Sequence, residues 1–211
     1  MLLANIRCVG LACALVLVAA CGGTVEAADP TLPPTLDRVA GVEAPPGPVL
    51  FEPEQLILPP EEFPLAEFAV ARDEPLTAHA WERQFVSSTS PDFHWFTVRL
   101  YVLEPDVPST TFIEENGCDT VQWPAERPDV REVEAGPSGD GARACRYEFT
   151  DGQRVLYHTT GYRNVAVVVG AQPRRPRMTD RLALDWLAAM ARHQIAIIGR
   201  VLLTYPPPKL P

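Results

Sequence analysis

Alternating apolar and polar positions predict β-strands through the middle of the chain. The stretch 93–103, FHWFTVRLYVL, alternates most regularly. Its apolar residues fall on one face: Phe96, Val98, Leu100 and Val102. Its aromatic and charged residues fall on the other: Trp95, Arg99 and Tyr101. Residues 81–88 alternate in the same way, and Ser90-Pro91-Asp92 between the two stretches is typical of a turn, so the pair is predicted to form a hairpin.

Further strands are predicted on both sides of this hairpin. An earlier strand is expected at 65–71. Later in the chain, Asp151-Gly152 separates CRYEFT from QRVLYHTT, which predicts a second hairpin with a tight turn. The stretch 162–170, YRNVAVVVG, is apolar on both faces in its second half. It is therefore predicted to lie near the centre of the sheet, with material covering both sides.

Two helices complete the pattern. A short one is predicted at 109–116, capped by Ser109 and ended by Gly117. A long one is predicted from Thr179 to about Leu203, with Thr179 as its cap and a wide apolar face that packs on the sheet. The order of elements predicts an α+β fold, in which the short helix and the long C-terminal helix pack on an antiparallel sheet.

Composition divides the chain into four segments. Residues 1–20 hold one basic residue and an apolar run, which is typical of a signal peptide. Residues 21–54 are rich in proline and nearly free of aromatic residues, so they are predicted to form a disordered tether. Residues 55–205 are predicted to form a single α+β domain, and 206–211 a proline-rich tail.

The apolar run of the signal segment ends at a cysteine. Val18-Ala19-Ala20-Cys21 resembles the bacterial lipobox, and this resemblance implies cleavage before Cys21 and acylation of its thiol. The protein is then expected to be exported and anchored by lipid to the cell membrane or the outer membrane. The alternative is ordinary secretion with cleavage after Ala27, which discards Cys21 with the peptide.

Only two cysteines remain beyond the signal peptide and the lipid site. Since an exported chain meets an oxidising compartment, Cys118 and Cys145 are predicted to form a disulfide. They are accompanied by no CxxC or HxxxH pattern, so no metal site is predicted. No pattern indicates a cofactor either.

The charge balance limits the partners. The chain carries 18 basic and 27 acidic residues, a net charge of −9, which disfavours nucleic acid. Against this background Arg174, Arg175 and Arg177 cluster in PRRPR, which makes them candidates for binding a small anion or an acidic envelope partner. The alternative is a solvated loop. Trp95 and Tyr101 are likewise candidates for an aromatic binding surface, with half-buried sheet surface as the alternative.

The sequence as a whole favours a membrane-anchored, non-catalytic envelope lipoprotein that binds a ligand or a protein partner. One rival is a hydrolase that uses His158 or His94 with a carboxylate, although the histidines show no ligand spacing. A purely structural spacer is another.

The C-terminal third carries a second resemblance. The stretch 162–170 followed by a helix with Leu187, Ala191 and Gln194 resembles small exported bacterial domains of the PsbP-like and mycobacterial lipoprotein sensor-like kind. That resemblance implies an antiparallel sheet flanked by helices and an accessory or ligand-sensing role. It carries over no functional residue.

Overall fold

A computed structural model describes residues 46–119, 128–135, 140–174 and 178–205. Within those ranges lie seven strands: β1 (Ala69–Thr77), β2 (Ala80–Val86), β3 (Phe93–Val102), β4 (Asp129–Val133), β5 (Ala142–Glu148), β6 (Arg154–Tyr162) and β7 (Val165–Pro173). The helices are α1 (Pro53–Leu56), a 3₁₀ turn (Pro60–Glu62), α2 (Ser109–Asn116) and α3 (Asp180–Thr204).

The strands form one sheet in the order β1-β2-β3-β7-β6-β5-β4, and all neighbouring strands are antiparallel. The predicted α+β fold is confirmed, since α3 packs on β6 and β7. The predicted central strand is also confirmed, because β7 is fourth of the seven strands. Its run of Val and Ala is buried throughout, as expected for a strand that is covered on both faces.

The front face of the sheet, defined here as the face under α3, carries the main core. Thr179 caps α3, and its side chain accepts a hydrogen bond from the Leu182 amide at 3.2 Å. The apolar side of α3 then buries large residues against the alternate apolar positions of β3, β6 and β7. The cluster includes Phe96, Val98, Leu100, Leu156, Val167, Val169, Trp186, Leu187, Met190 and Ile198.

The segment before β1 covers the rest of the front face. Val49 is buried, and Phe63 stacks on Phe85 with ring centroids 3.9 Å apart. The Gln194 side chain of α3 accepts from the Leu58 amide at 2.6 Å and donates to the Leu56 carbonyl at 2.7 Å. Packing therefore begins at Val49, five residues before the predicted end of the tether at residue 54.

Several local predictions differ from the structure. The first strand lies at Ala69–Thr77, later than the predicted 65–71. Residues 162–170 are not one strand, because Arg163 and Asn164 form the turn between β6 and β7, and Arg163 has a positive φ of 59°. Helix α2 has the predicted bounds, but Pro108 holds its N-cap position and Ser109 is its buried first residue.

The back face, opposite α3, holds a smaller core of Cys145, Tyr147, Val155, Tyr157 and Val168. Helix α2 packs on this face against β6 and β7. The predicted disulfide is confirmed, since Cys118, just after α2, is bonded to Cys145 of β5. Among the described helices, including the 25-residue α3, none has the length and hydropathy that crossing a bilayer requires.

Candidate functional site

The back-face groove is an open cavity of about 470 Å³ between the β1–β3 side of the sheet and α2. The exposed edge strand β1 contributes Arg72, Leu76 and Thr77 to its walls. The neighbouring strands, α2 and the turn after it contribute the remainder: Glu82, Arg99, Tyr101, Phe112, Asn116 and Asp119. These side chains meet here because Glu82, Arg99 and Tyr101 point to the back face of the sheet, and α2 packs on that same face.

A buried ion pair forms part of the groove lining. Glu82 and Arg99 are cross-strand partners, and the Arg99 Nε donates to the Glu82 Oε2 at 2.8 Å. The two side chains are only 4% and 15% exposed, respectively. Arg72 lies beside them, with its Nη1 3.7 Å from the Glu82 Oε1. Two guanidinium groups thus compensate the charge of one buried carboxylate.

The groove also has an aromatic wall. The rings of Tyr101 and Phe112 lie with centroids 4.7 Å apart at an angle of 33°. Burial raises the pKa of Tyr101, although the adjacent Arg99 opposes the shift, so the hydroxyl is protonated at neutral pH. It therefore both donates and accepts hydrogen bonds there.

A second aromatic layer adjoins Arg99. The Arg99 guanidinium lies 5.9 Å from the centroid of the Tyr157 ring, a cation–π distance. The Tyr157 ring crosses β7 at Gly170, where an added Cβ would lie 2.2 Å from a ring carbon. Burial raises the pKa of Tyr157 well above its ordinary range. Gly170 is therefore needed at this position to let the ring pack beside Arg99.

The structure separates the two residues of the predicted aromatic surface. Tyr101 lines the groove, whereas Trp95 lies farther along β3, outside the groove lining, with its ring centroid 6.4 Å from that of Tyr157. Trp95 is half-buried against the back-face core. Only Tyr101 of this pair is placed to contact a ligand in the groove.

The arginine cluster is described only at its first member. Arg174 donates from Nη2 to the Ser87 carbonyl at 3.0 Å and from Nε to the Phe93 carbonyl at 3.3 Å. Its guanidinium therefore holds the connection between β2 and β3. Arg175 and Arg177 lie outside the described residues.

The two candidate histidines occupy separate environments. His158 is fully buried on the front face, and burial, reinforced by the charge of Arg192, lowers its pKa to about 4. His94 is exposed and lines a depression of about 190 Å³ together with Asp151 and Arg154. Partial burial, with a smaller contribution from the charge of Arg174, lowers the pKa of His94. Within the described ranges no group of three or more His, Cys, Asp or Glu side chains is arranged to hold a metal ion.

A larger depression of about 760 Å³ lies at the β6–β7 turn, where Gly47 and Pro48 form part of its wall. Arg163 there donates from Nη1 to the Gly47 carbonyl at 2.9 Å, and the Asn164 side chain bonds Val49 through both its oxygen and its nitrogen. These polar groups hold the incoming chain.

Sequence reasoning missed Arg72, Glu82 and Asn116 as lining residues. The predicted hairpin of 81–88 and 93–103 did carry a signal, because it placed a carboxylate and a guanidinium at alternate, non-core positions of adjacent strands. Neither the position of β1 nor the packing of α2 beside this pair follows from that pattern. Comparison of the chain with protein-family models, curated proteins and solved structures finds no match.

Proposed function

We propose that the protein is an exported, lipid-anchored and non-catalytic accessory protein of the bacterial envelope, which binds a ligand or partner in the back-face groove. The observation that carries the proposal is the Glu82–Arg99 ion pair, which is held at low exposure in the lining of an open cavity. The lipobox-like sequence that ends at Cys21 supports the anchor.

Energetics favour a binding role for this pair over a purely structural one. Moving two charges out of water is costly, and well-packed apolar residues often stabilise a fold as well or better. The back-face core already contains apolar and aromatic residues that such a replacement would extend. A charged side chain that its neighbours already hold in place can form oriented hydrogen bonds to a ligand. Such a side chain loses little further conformational freedom when the ligand binds.

One observation bears on the hydrolase alternative. His94 and Asp151 line the same small depression, as an acid–base pair requires. Its described lining contains no serine or cysteine that would act as a nucleophile. The spacer alternative assigns no ligand to any surface, so specific binding in the back-face groove would exclude it.

The proposal is tested with the full lipidated chain in detergent micelles. Isotope-labelled protein is titrated with fractions of its own envelope extract, and backbone amide shifts are followed by NMR. We expect shifts at Arg99, Tyr101 and Asn116, and weaker binding when Arg72→Ala removes an exposed lining cation. Arg131→Ala is the matched control, because Arg131 is also an exposed arginine in an ion pair but lies on the opposite edge strand β4.

Two outcomes would refute the proposal. One is that no fraction shifts the groove amides. The other is that Arg72→Ala and Arg131→Ala weaken binding equally, because such a result indicates a general charge effect. Hydrolysis products that appear during the titration, and disappear in His94→Ala, would favour the hydrolase instead.

A further inference from the structure

We infer that the back-face groove takes a neutral, polyhydroxylated ligand of the saccharide class. The inference rests on the proposed function, because it names the ligand of the same groove. Three properties of the lining carry it: balanced charge, a mixture of hydrogen-bond donors and acceptors, and an aromatic wall.

The charges of the groove are balanced. Arg72 and Arg99 supply two positive charges, while Glu82 and Asp119 supply two negative ones. Arg72 is also drawn toward Glu74 on its own strand, at 3.3 Å. An anionic ligand would meet Glu82 and Asp119, and a cationic ligand would meet both guanidiniums. Because like charges brought together in a partly buried site repel, the lining disfavours either ionic class relative to a neutral ligand.

The polar groups match hydroxyls. A hydroxyl donates one hydrogen bond and accepts others, so a ligand with many hydroxyls needs donors and acceptors side by side. The guanidiniums are pure donors and the carboxylates are acceptors. The Tyr101 and Thr77 hydroxyls do both. Asn116 adds an amide whose orientation is fixed, since its Nδ2 donates to the Phe112 carbonyl at 2.8 Å.

The apolar part of the lining suits the carbon-bound hydrogens of a sugar ring. The Tyr101–Phe112 pair provides aromatic surface beside these polar groups, and Leu76 of β1 is 38% exposed there. An apolar surface with a few oriented polar groups is the usual composition of small-molecule sites. The cavity of about 470 Å³ also lies within the usual range of such sites, about 300–1,000 Å³.

The test compares three trisaccharides of similar size and different charge on the full lipidated chain: cellotriose, trigalacturonate and the fully deacetylated chitosan trimer. We expect cellotriose to shift the amides of Arg99, Tyr101 and Asn116 in a saturable way, and to bind more tightly than either charged trimer. Tyr101→Leu should weaken cellotriose binding about tenfold, because it removes the hydroxyl and the aromatic face. Arg131→Ala should leave it unchanged. Co-sedimentation with microcrystalline cellulose distinguishes a polymeric glycan from a free saccharide as the source of the ligand.

Tighter binding of either charged trimer at the groove would overturn the inference and leave the proposed binding function standing. The absence of groove shifts with all three trimers at millimolar concentration would also overturn it. Failure of the proposed function is read separately, from the envelope-extract titration. If Tyr101→Leu is unfolded by circular dichroism, Arg72→Ala replaces it, since Arg72 is on the exposed edge strand. Unchanged cellotriose affinity in Arg72→Ala would then count against the groove as the saccharide site.

Discussion

Single polar residues hold the connections of this fold, and Arg174 is the clearest example. Its charge makes it a candidate for an anion or partner site, with a solvated loop as the alternative. In the structure its guanidinium donates to the carbonyls of Ser87 and Phe93, and its amide donates to the Asp92 carbonyl. A cluster of arginines in the sequence therefore does not reveal which of them serve backbone carbonyls, because those carbonyls lie about 80 residues away.

We predict that Arg174→Ala lowers the free energy of unfolding by about 1–3 kcal/mol, because it leaves partly buried carbonyls without their donor. Arg181→Ala is the control, since the Arg181 side chain is 67% exposed and its ion pairs are on the surface. The control should change the free energy by no more than about 0.5 kcal/mol. Urea denaturation measures both. Equal stability of the two variants would assign Arg174 to the solvated loop after all.

His158 is predicted to make stability depend on pH. Its folded pKa of about 4 lies below the ordinary 6.5, so the unfolded chain binds a proton at a pH where the native chain does not. The contribution of neutral His158 is fully present above pH 6.5 and is lost as the pH falls toward 4. At 1.36 kcal/mol per pKa unit, the loss is about 3 kcal/mol.

The measurement is the difference between the unfolding free energies of wild type and His158→Gln at pH 7 and at pH 4. Taking this difference removes the contributions of other titrating groups, such as His193, whose pKa is also lowered by burial. The difference should shrink or reverse at pH 4. His79→Gln, at an exposed histidine, is the control for the loss of a histidine as such. A difference that is constant with pH would contradict the predicted shift.

At the scale of elements, regular periodicity and local signals predicted most of the fold. Strand β3 and helices α2 and α3 were placed within about two residues of their observed bounds, because each has an uninterrupted pattern and a clear turn, cap or glycine at its end. The disulfide followed from the number of cysteines. The sequence also indicated the central position of β7, because its apolar residues occupy both faces.

The elements that were missed lack such a pattern. Strand β4 is short and mostly exposed at the sheet edge, and its sequence DVREV is mostly polar. The β6–β7 turn was not recognised because it contains Arg163 in place of a glycine at a positive φ. Two buried side-chain amides hold the segment around α1: Asn164 bonds Val49 before the helix, and Gln194 bonds Leu56 and Leu58 at its end. Their partners in that segment are more than 100 residues away in the chain, so no local pattern indicates them.

We predict that Gln194→Ala detaches residues 56–58 from the core and costs about 2–4 kcal/mol, because it leaves a buried amide and a buried carbonyl without partners. Hydrogen exchange should show faster exchange of the Leu58 amide than in wild type. Gln172→Ala is the control, because Gln172 bonds only the exposed side chain of Gln153 among the contacts described for it. Unchanged protection of Leu58 in Gln194→Ala would show that apolar packing alone holds the segment.

The disulfide joins the turn after α2 to β5, which lies in the other half of the strand order from β1. Its half-cystines are 27 residues apart, which corresponds to about 3.5 kcal/mol in the chain-entropy description of the unfolded state. We predict that the double variant Cys118→Ser/Cys145→Ser is less stable by roughly this amount but still folded, since α3 and most of the front-face core lie outside the loop. Urea denaturation measures the loss. Two alkylatable thiols in the purified exported protein would contradict the bridge.

At the scale of the molecule, the position of the N-terminal segment can be compared with that of the back-face groove. Near the β6–β7 turn, Arg163 and Asn164 hold Gly47 and Val49 of the described N-terminal segment. The back-face groove lies on the face opposite α3, between β1 and α2. The groove residue Tyr101 pairs with Ala166 of β7, two residues after Asn164, and the first residue of α2 donates its amide to the Arg163 carbonyl. The contacts that hold the N-terminal segment and one end of the groove are therefore built on the same end of the sheet.

The proposed lipid anchor is tested at Cys21. If Cys21 is the acylated residue, cells given a palmitate analogue should label the wild-type protein, because a lipobox cysteine becomes the lipid-bearing N-terminus. Cys21→Ser should stay unlabelled and accumulate as the uncleaved precursor. Cys13→Ser is the matched control, since Cys13 lies within the apolar run of the same signal segment and its loss should leave labelling intact. A mature N-terminus at Ala28, read by mass spectrometry, would replace the anchored protein with a freely secreted one, while the groove and its predicted ligand would be unaffected.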